Sequence, residues 1–297
     1  MRKVLAIDLG GTKLAAAVVD ESGAVLTRRK TPVIRDSLAA TADQIAAEAG
    51  RCVADTGPVQ GAGLIVPGIY RARDAAAWAP NLWGDRYVAL KAALAERLSV
   101  PVWIDSDRAG YVLGEQWLGV ARGLSDVVFL AVGTGIGAGI LSGGRLIRGA
   151  GDIAGAVGWF ALQPEFRELY AVCGCWEAEA AGPALARRAG QATAEQAVEA
   201  ARGGNPAAVA AIEETVRFLA MGIANLVSLL NPEMVVVGGG LMQAGDLFLE
   251  PVRRQFPLWA QPYAARQARI ELTALGESAG LLGAARLALA GEAGQFT

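Results

Sequence analysis

The sequence predicts an α/β chain built as two similar lobes, and three observations lead there. Short apolar runs alternate with stretches of helical spacing from residue 3 to residue 118, the pattern of helices packed on a sheet. A strand–turn–strand–turn–strand unit with a glycine/threonine corner stands at the N-terminus and again about half a chain later. Internal self-similarity of this kind points to lobes of like construction. Hydrophobic residues make up 53% of the 297 positions and charged residues 19%, which allows a sizeable core and argues against wholesale disorder.

The first copy is VLAIDLGGTKLAAAVV, Val4 to Val19. Four apolar residues run into Asp8, Gly10-Gly11-Thr12 make the corner, and a second apolar run returns. Glu21-Ser22-Gly23 then turns into Ala24-Val25-Leu26. Glycines at such a corner allow sharp-hairpin backbone angles and leave N–H groups that an anion can approach. Asp8 ends its strand where a cation carried by phosphate oxygens could be met, directly or through water. A hairpin without any ligand is the plain alternative for this stretch by itself. The second copy, VVFLAVGTGIGAGIL, runs from Val127 to Leu141 around Gly133, Thr134, Gly135 and Gly137, and Gly143-Gly144 leads into Arg145-Leu146-Ile147. Two such hairpins facing one another across a cleft would hold a polyphosphate from both sides.

The remaining elements follow in order. Ser37 to Val53 reads as a helix with Ser37 as N-cap. Gly61 to Val66 is a short buried strand stopped by Pro67-Gly68, Arg71 to Asn81 is polar and irregular, and Val88 to Leu98 is helical. Val100 to Ile104 is a strand delivering Asp105-Ser106-Asp107, with a helix from Ala109 to Leu118. Helices return over Trp176 to Ala189, with a break expected at Gly182-Pro183, over Glu195 to Arg202 and over Pro206 to Leu230. Val235 to Val237 is a strand emptying into Gly238-Gly239-Gly240. Asp246 to Arg254 is a helix, Ile270 to Leu275 a strand, and Ser278 to Ala290 a small-residue helix expected to pack back on the first lobe. No low-complexity linker divides the chain. The expected lobes are residues 1–107 with 283–297, and residues 108–282, meeting at a hinge beside Asp107.

Composition narrows the chemistry. Net charge is -2 and no basic block occurs, so neither nucleic acid nor an anionic membrane surface is an expected partner. No apolar run suits a signal peptide or a membrane span. Cys52, Cys173 and Cys175 form no disulfide framework, which favours a reducing cytoplasm. Histidine is absent, which removes His-based general base catalysis and His-ligated metals. Acid–base work falls to carboxylates or lysines.

PVWIDSD is the strongest catalytic stretch. Asp107 follows a strand and precedes a helix, where α/β folds place ligand-facing groups. The alternative is that Asp105 or Asp107 merely caps that helix. As a base, Asp107 would take the proton of a substrate hydroxyl as its oxygen attacks a γ-phosphoryl group. Phosphoryl transfer asks little else of a protein beyond positioning and charge neutralisation.

Taken together, DLGGTK (Asp8–Lys13), APNL (Ala79–Leu82), IDSDRAGYVLGE (Ile104–Glu115), GTGIGAGI (Gly133–Ile140), GCWE (Gly174–Glu177), VVVGGG (Val235–Gly240) and AGLLGAA (Ala279–Ala285) resemble the ROK family of bacterial sugar kinases, within the actin/hexokinase/heat-shock ATPase superfamily. The resemblance covers nearly the whole chain. It implies two actin-like (ribonuclease H-like) lobes with mixed sheets flanked by helices and the active-site cleft between them. It also implies ATP and Mg2+ as cofactors, a sugar or sugar-like alcohol as substrate, and a homodimer. The implied phosphate-binding turns are Asp8, Gly10, Gly11 and Thr12 and, in the second copy, Gly133, Thr134 and Gly135. Gly238, Gly239 and Gly240 would lie against the adenosine, and Asp107 would be the catalytic base. Gly68, Asn81 and Glu177 fall where the family contacts its sugar.

The departures are as informative. The family usually has Asn before the catalytic Asp, where this chain has Ser106. Where the family carries a sugar-binding Glu and a zinc-binding His, this chain reads AGAVGW, Ala154 to Trp159. The family's cysteine cluster becomes Glu168, Tyr170, Ala171 and Gly174, with Cys175 alone kept, so no structural zinc is expected. Trp159 offers an apolar face for a pyranose ring, or fills a cavity. The other tryptophans read as core or interface, with Trp78 and Trp83 at a rim. Three functions stay open: an ATP-dependent carbohydrate kinase, a non-catalytic nucleotide and sugar sensor with an eroded pocket, and a dinucleotide-dependent oxidoreductase suggested by VVVGGGLMQAG. The last lacks the third glycine at its spacing, since Gln243 stands there.

Overall fold

The computed structural model describes residues 1–292. The chain forms two compact units, one of residues 1–122, 148–153 and 277 onward, the other of residues 123–147 and 154–276. The expected boundaries at 107/108 and 282/283 fall inside helices. A helix packed along one face stays whole, so the unit limits lie in the turns outside those helices.

The first unit opens with β1 (Lys3–Leu9), β2 (Lys13–Asp20) and β3 (Val25–Pro32). α1 (Leu38–Thr56) follows, with Ser37 Oγ accepting from the Ala40 amide as the expected N-cap. β4 (Ala62–Val66) is buried throughout, as a strand covered on both faces must be. Residues 71–81, expected to be irregular, instead join a small antiparallel sheet of β5 (Ile69–Arg71), β6 (Ala76–Trp78) and β7 (Tyr87–Val88), with the single-turn helix α2 (Pro80–Trp83) between the last two. Strands of two or three residues are too short to show a period in sequence. α3 (Leu90–Ala95) is shorter than expected, β8 (Val102–Ser106) ends the main sheet, and α4 (Asp107–Leu118) follows directly. The sheet order is β3-β2-β1-β4-β8, with the first three strands antiparallel and β1, β4 and β8 parallel.

The second unit repeats this plan. β9 (Val127–Val132), β10 (Ile136–Ser142) and β11 (Arg145–Leu146) form the antiparallel meander. Five helices come before the next strand: α5 (Tyr170–Cys173), α6 (Cys175–Ala180), α7 (Gly182–Arg188), α8 (Ala194–Arg202) and α9 (Pro206–Leu230). The break expected at Gly182-Pro183 separates α6 from α7. β12 (Met234–Gly238) is then followed by α10 (Gly245–Gln255), α11 (Pro262–Gln267) and β13 (Arg269–Leu272). The order β11-β10-β9-β12-β13, with β12 parallel to both β9 and β13, matches the first sheet strand for strand.

The last helix, α12 (Ala279–Glu292), returns to the first unit and packs on α4, β1 and β4. Its small residues let backbones approach closely: a Cβ on Gly63 would strike the Ala284 carbonyl, and one on Gly283 the Gly110 carbonyl. Each unit has its own core. One is built around Leu5, Ile7, Ile45 and Leu64, the other around Trp176, Phe218, Val235 and Phe248. Trp83, expected at a rim, is 6% exposed in the first core, its indole N–H donating to Thr41.

Candidate active site

The first unit gathers its acids at the carboxyl end of the sheet. β8 runs straight into α4, and Ser106, with extended backbone, is the N-cap, its Oγ accepting from the Ala109 amide at 3.3 Å. Neither aspartate caps the helix, which leaves their carboxylates for other work. The Asp107 carboxylate accepts from the Arg108 amide at 2.8 Å. Burial pushes it up to about 6, with the Arg108 guanidinium pulling the other way. Asp8, at the end of β1, is pushed further, to about 7, first by burial and then by the charge of Asp107, while Arg28 and Lys30 draw it back. Gly280, in the first turn of α12, stands against Asp8, and a Cβ there would lie 2.7 Å from Asp8 Oδ2. Tyr111, one turn along α4 from Asp107, has its hydroxyl proton held fast by burial and by both aspartates.

Asp105 does a different job. Its Oδ2 receives both Nε (3.0 Å) and Nη2 (2.8 Å) of Arg148, and its Oδ1 takes the Ser106 amide at 2.8 Å. Burial still holds its carboxyl above the ordinary value despite that partner. The same returning segment carries Asp152, which accepts from the Ala72 amide. Nothing in the local sequence around Arg148 signals this pairing, since its partner lies 43 residues away.

The sequence-predicted sugar residues of this unit join the cluster. Gly68 has φ +113°, and any Cβ would strike the Trp78 carbonyl, so only glycine fits. Its carbonyl accepts from Arg108 Nη2 at 3.3 Å. Asn81, exposed on α2, stands beside the first glycine corner: a Cβ on Gly11 would be 3.8 Å from that of Asn81. The corner closes with the Gly10 amide donating to the Lys13 carbonyl at 2.9 Å, and Thr12 is exposed at its tip. One expectation is corrected. None of Gly10, Gly11, Gly133 and Gly135 has a left-handed φ. Clearance is needed at Gly10, where a Cβ would lie 3.1 Å from the Lys13 carbonyl, and at Gly135; at Gly11 and Gly133 a Cβ would meet only ordinary contacts.

In the second unit the equivalent corner has its own carboxylate. Glu177, on α6, accepts the Ile136 amide on Oε2 at 2.8 Å, and burial raises its carboxyl above the ordinary value. A Cβ on Gly135 would lie 2.7 Å from that oxygen. Trp159 follows Gly158, whose missing Cβ makes room for Glu177, and its side chain is 57% exposed. Gly239 has φ +96°, and Gly133 lies close enough that a Cβ on it would be 3.5 Å from the Gly240 amide. Beside these two turns opens a cavity of about 510 Å3, a volume in the range that takes small ligands. Its walls come from Gly133 and Thr134, from Gly182 and Pro183, from Thr193 and Val198, and from Gly240, Leu241 and Gln243. Of these, sequence reasoning found the glycine turns but not the α7–α8 wall, whose one hint was the Gly182-Pro183 break.

The two cysteines of the GCW stretch part company. Cys175 is buried with its Sγ accepting from the Leu162 amide, and Cys173 turns toward the Leu169 carbonyl. Among the described residues no three His, Cys, Asp or Glu side chains are placed to hold a metal ion.

The ROK family model matches residues 4–291. A glucokinase of Streptomyces coelicolor is 35% identical, covering 97% of this chain and 98% of its own. The crystal structure of a ROK hexokinase from Thermus thermophilus superposes with a TM-score of 0.85 at 30% identity, covering 98% and 99% of the two chains. That of a ROK family glucokinase from Streptomyces griseus, in complex with glucose and AMPPNP, gives 0.78 at 31% identity over 97% and 99%. With like relatives along its whole length and a matching pair of glycine-cornered sheets, the chain belongs to the ROK family and is an ATP-dependent carbohydrate kinase.

Proposed function

We propose that Asp107 is the general base of phosphoryl transfer from ATP to a sugar hydroxyl. The observation that carries this reading is the place of Asp107, first residue of α4 directly after β8, with Ser106 supplying the cap; burial there raises its carboxyl to about 6. A base near that value is ionised at neutral pH yet still basic enough to receive a proton. Asp8–Thr12 and Gly133–Gly135 are the triphosphate-binding turns, and the cavity beside Gly240 takes the adenosine. The Asp8 carboxyl, crowded by Asp107, suits Mg2+, which when bound neutralises charge on the phosphate oxygens. Gly68, Asn81, Ser106, Trp159 and Glu177 face the sugar. Three cysteines without a disulfide favour the cytoplasm, and we expect a homodimer there.

Asp107→Asn should lower kcat about a thousandfold with ATP affinity, read by titration of a non-hydrolysable analogue, nearly unchanged. Full turnover in that variant would defeat the assignment.

The acceptor is a sugar or sugar-like alcohol with a substantial apolar face. Ala156 and Trp159 stand where the family pattern has Glu and His. Losing those groups removes charge-assisted hydrogen bonds worth ~1.5–3 kcal/mol each, while an exposed tryptophan suits stacking on a pyranose. In a coupled ADP-release screen of hexoses, amino sugars, N-acetylated sugars and cyclitols, glucose should rank low. Glucose as the best acceptor would remove this part of the reading.

A further inference from the structure

A single buried carboxylate ties together the helices around Glu177. Glu179 is 2% exposed on α6, a helix of only six residues. Its Oε1 takes the Tyr170 hydroxyl at 2.5 Å and Arg167 Nη1 at 2.9 Å, and its Oε2 takes Arg188 Nη2. Arg188 also donates to the Glu179 carbonyl, and Arg187 to the Ala178 carbonyl at 2.8 Å. Those carbonyls belong to the last turn of α6, where an isolated helix would leave them without partners. The Arg188 guanidinium lies 5.2 Å over the Phe218 ring of α9, and Phe166 meets Tyr170 edge to face. The loop before α5 and helices α5, α6 and α7 thus converge on one acid, and α9 meets its Arg188 partner.

A helix this short has little stability of its own and takes its place from tertiary contacts. Residues two apart on a helix point to nearly opposite sides. Glu179 accordingly fastens one side of α6 to its neighbours while Glu177, on the other, holds the Ile136 amide beside the Gly133–Gly135 corner. Tyr170 and Glu168 stand where the family pattern has cysteines, so in this chain the segment is fastened by charge-assisted hydrogen bonds.

We infer that Glu179 is a positioning residue for the kinase reaction, setting Glu177 through α6 and, through Glu177, the second glycine corner. The part concerning sugar affinity rests on the proposed role of Glu177; the part concerning the corner does not. The test compares Glu179→Gln, the milder Tyr170→Phe, Glu177→Gln and the double variant Glu177→Gln/Glu179→Gln. Sugar KM, kcat and amide exchange at Ile136 are measured well below each variant's Tm. Glu179→Gln should raise sugar KM about tenfold or more, as loss of a charged hydrogen bond predicts, and speed exchange at Ile136 relative to β9 and β12 amides. Tyr170→Phe should move both in the same direction by a smaller factor, and it carries the test if Glu179→Gln does not fold. The double variant should show no further rise in KM over Glu177→Gln. A lowered Tm with KM and Ile136 exchange unchanged would overturn the inference and leave Glu179 a purely structural acid. Faster exchange at Ile136 together with a Glu177→Gln variant of normal sugar KM would instead defeat the sugar-binding role of Glu177 and uphold the link to the corner.

Discussion

The two glycine-cornered sheets share one blueprint and have been fitted out differently. In each, the fourth strand in sheet order empties into a glycine with left-handed φ, Gly68 at +113° and Gly239 at +96°. In each, the meander's corner is walled by a side chain from elsewhere, Asn81 in the first unit and Glu177 in the second. The fifth strands diverge. β8 delivers Asp105, Ser106 and Asp107, whereas β13 is followed by Thr273, Ala274 and Leu275. The space between meander and fourth strand diverges too: α1 alone in the first unit, five helices in the second, two of which wall the cavity. One sheet plan thus yields two equivalent corners, while the buried acids and the cavity lie at different places on the two copies.

The strongest way to break this contrast is to disturb the acid end of β8, which has no counterpart on β13. Arg148→Met leaves Asp105 buried without its cation. Such a loss costs about 3–5 kcal/mol for a fully buried pair; with Arg148 about a third exposed, about 2–4 kcal/mol is expected by denaturant unfolding. Adding Asp105→Asn should recover part of that loss. No change in stability would mean the pair does not organise this end of the sheet.

A smaller effect separates the two corners. Gly135→Ala places a methyl 2.7 Å from Glu177 Oε2, whereas at Gly11 the nearest neighbour is the Asn81 Cβ at 3.8 Å, an ordinary contact. Displacing one charge-accepting hydrogen bond amounts to about 1.5 kcal/mol, or roughly tenfold. KM for ATP should therefore rise about tenfold in Gly135→Ala and stay within a factor of about two in Gly11→Ala. Equal effects would show that Glu177 does not brace its corner.

A third effect is on stability and depends on pH. Asp107 and Asp8 have folded-state values raised to about 6 and about 7, so between about pH 4 and 7 these two groups bind more protons in the native chain than in the unfolded one. Stability then falls as pH rises through that window. Asp107→Asn should remove part of the fall and raise stability at pH 7.5 in the absence of ATP and Mg2+, read by denaturant unfolding at pH 5 and pH 7.5. Activity should run the opposite way, kcat/KM for the sugar rising through about pH 6 as Asp107 ionises. A kcat/KM independent of pH from 5 to 8 would contradict the base assignment.

Much of this was legible in the sequence because it is local. The meanders announce themselves as apolar runs split by Gly/Thr corners, and the bounds of α9 are marked by Asn205 before Pro206 at one end and Asn231 at the other. What escaped was either too short or too distant. β5, β6 and β7 hold two or three residues each, below any readable period. The Asp105–Arg148 and Glu179–Arg188 pairs depend on which segments the fold brings together, and charged residues in sequence carry no mark of their partners. The glycine corners were found for a partly mistaken reason, since their φ values are ordinary and room is needed at Gly10 and Gly135 alone among the four.

The return of α12 to the first unit has a consequence for how the protein is made. A ribosome that has released only the first 276 residues holds β1, β4 and α4 with their packing partner still unsynthesised, while everything the second unit needs has already emerged. The second unit can therefore mature first, and the first must wait with the α12-facing side of β1, β4 and α4 uncovered until residues 279–292 arrive. Loss of α12 would then injure the unit that holds β1, some 270 residues earlier in the chain, and leave the later unit whole.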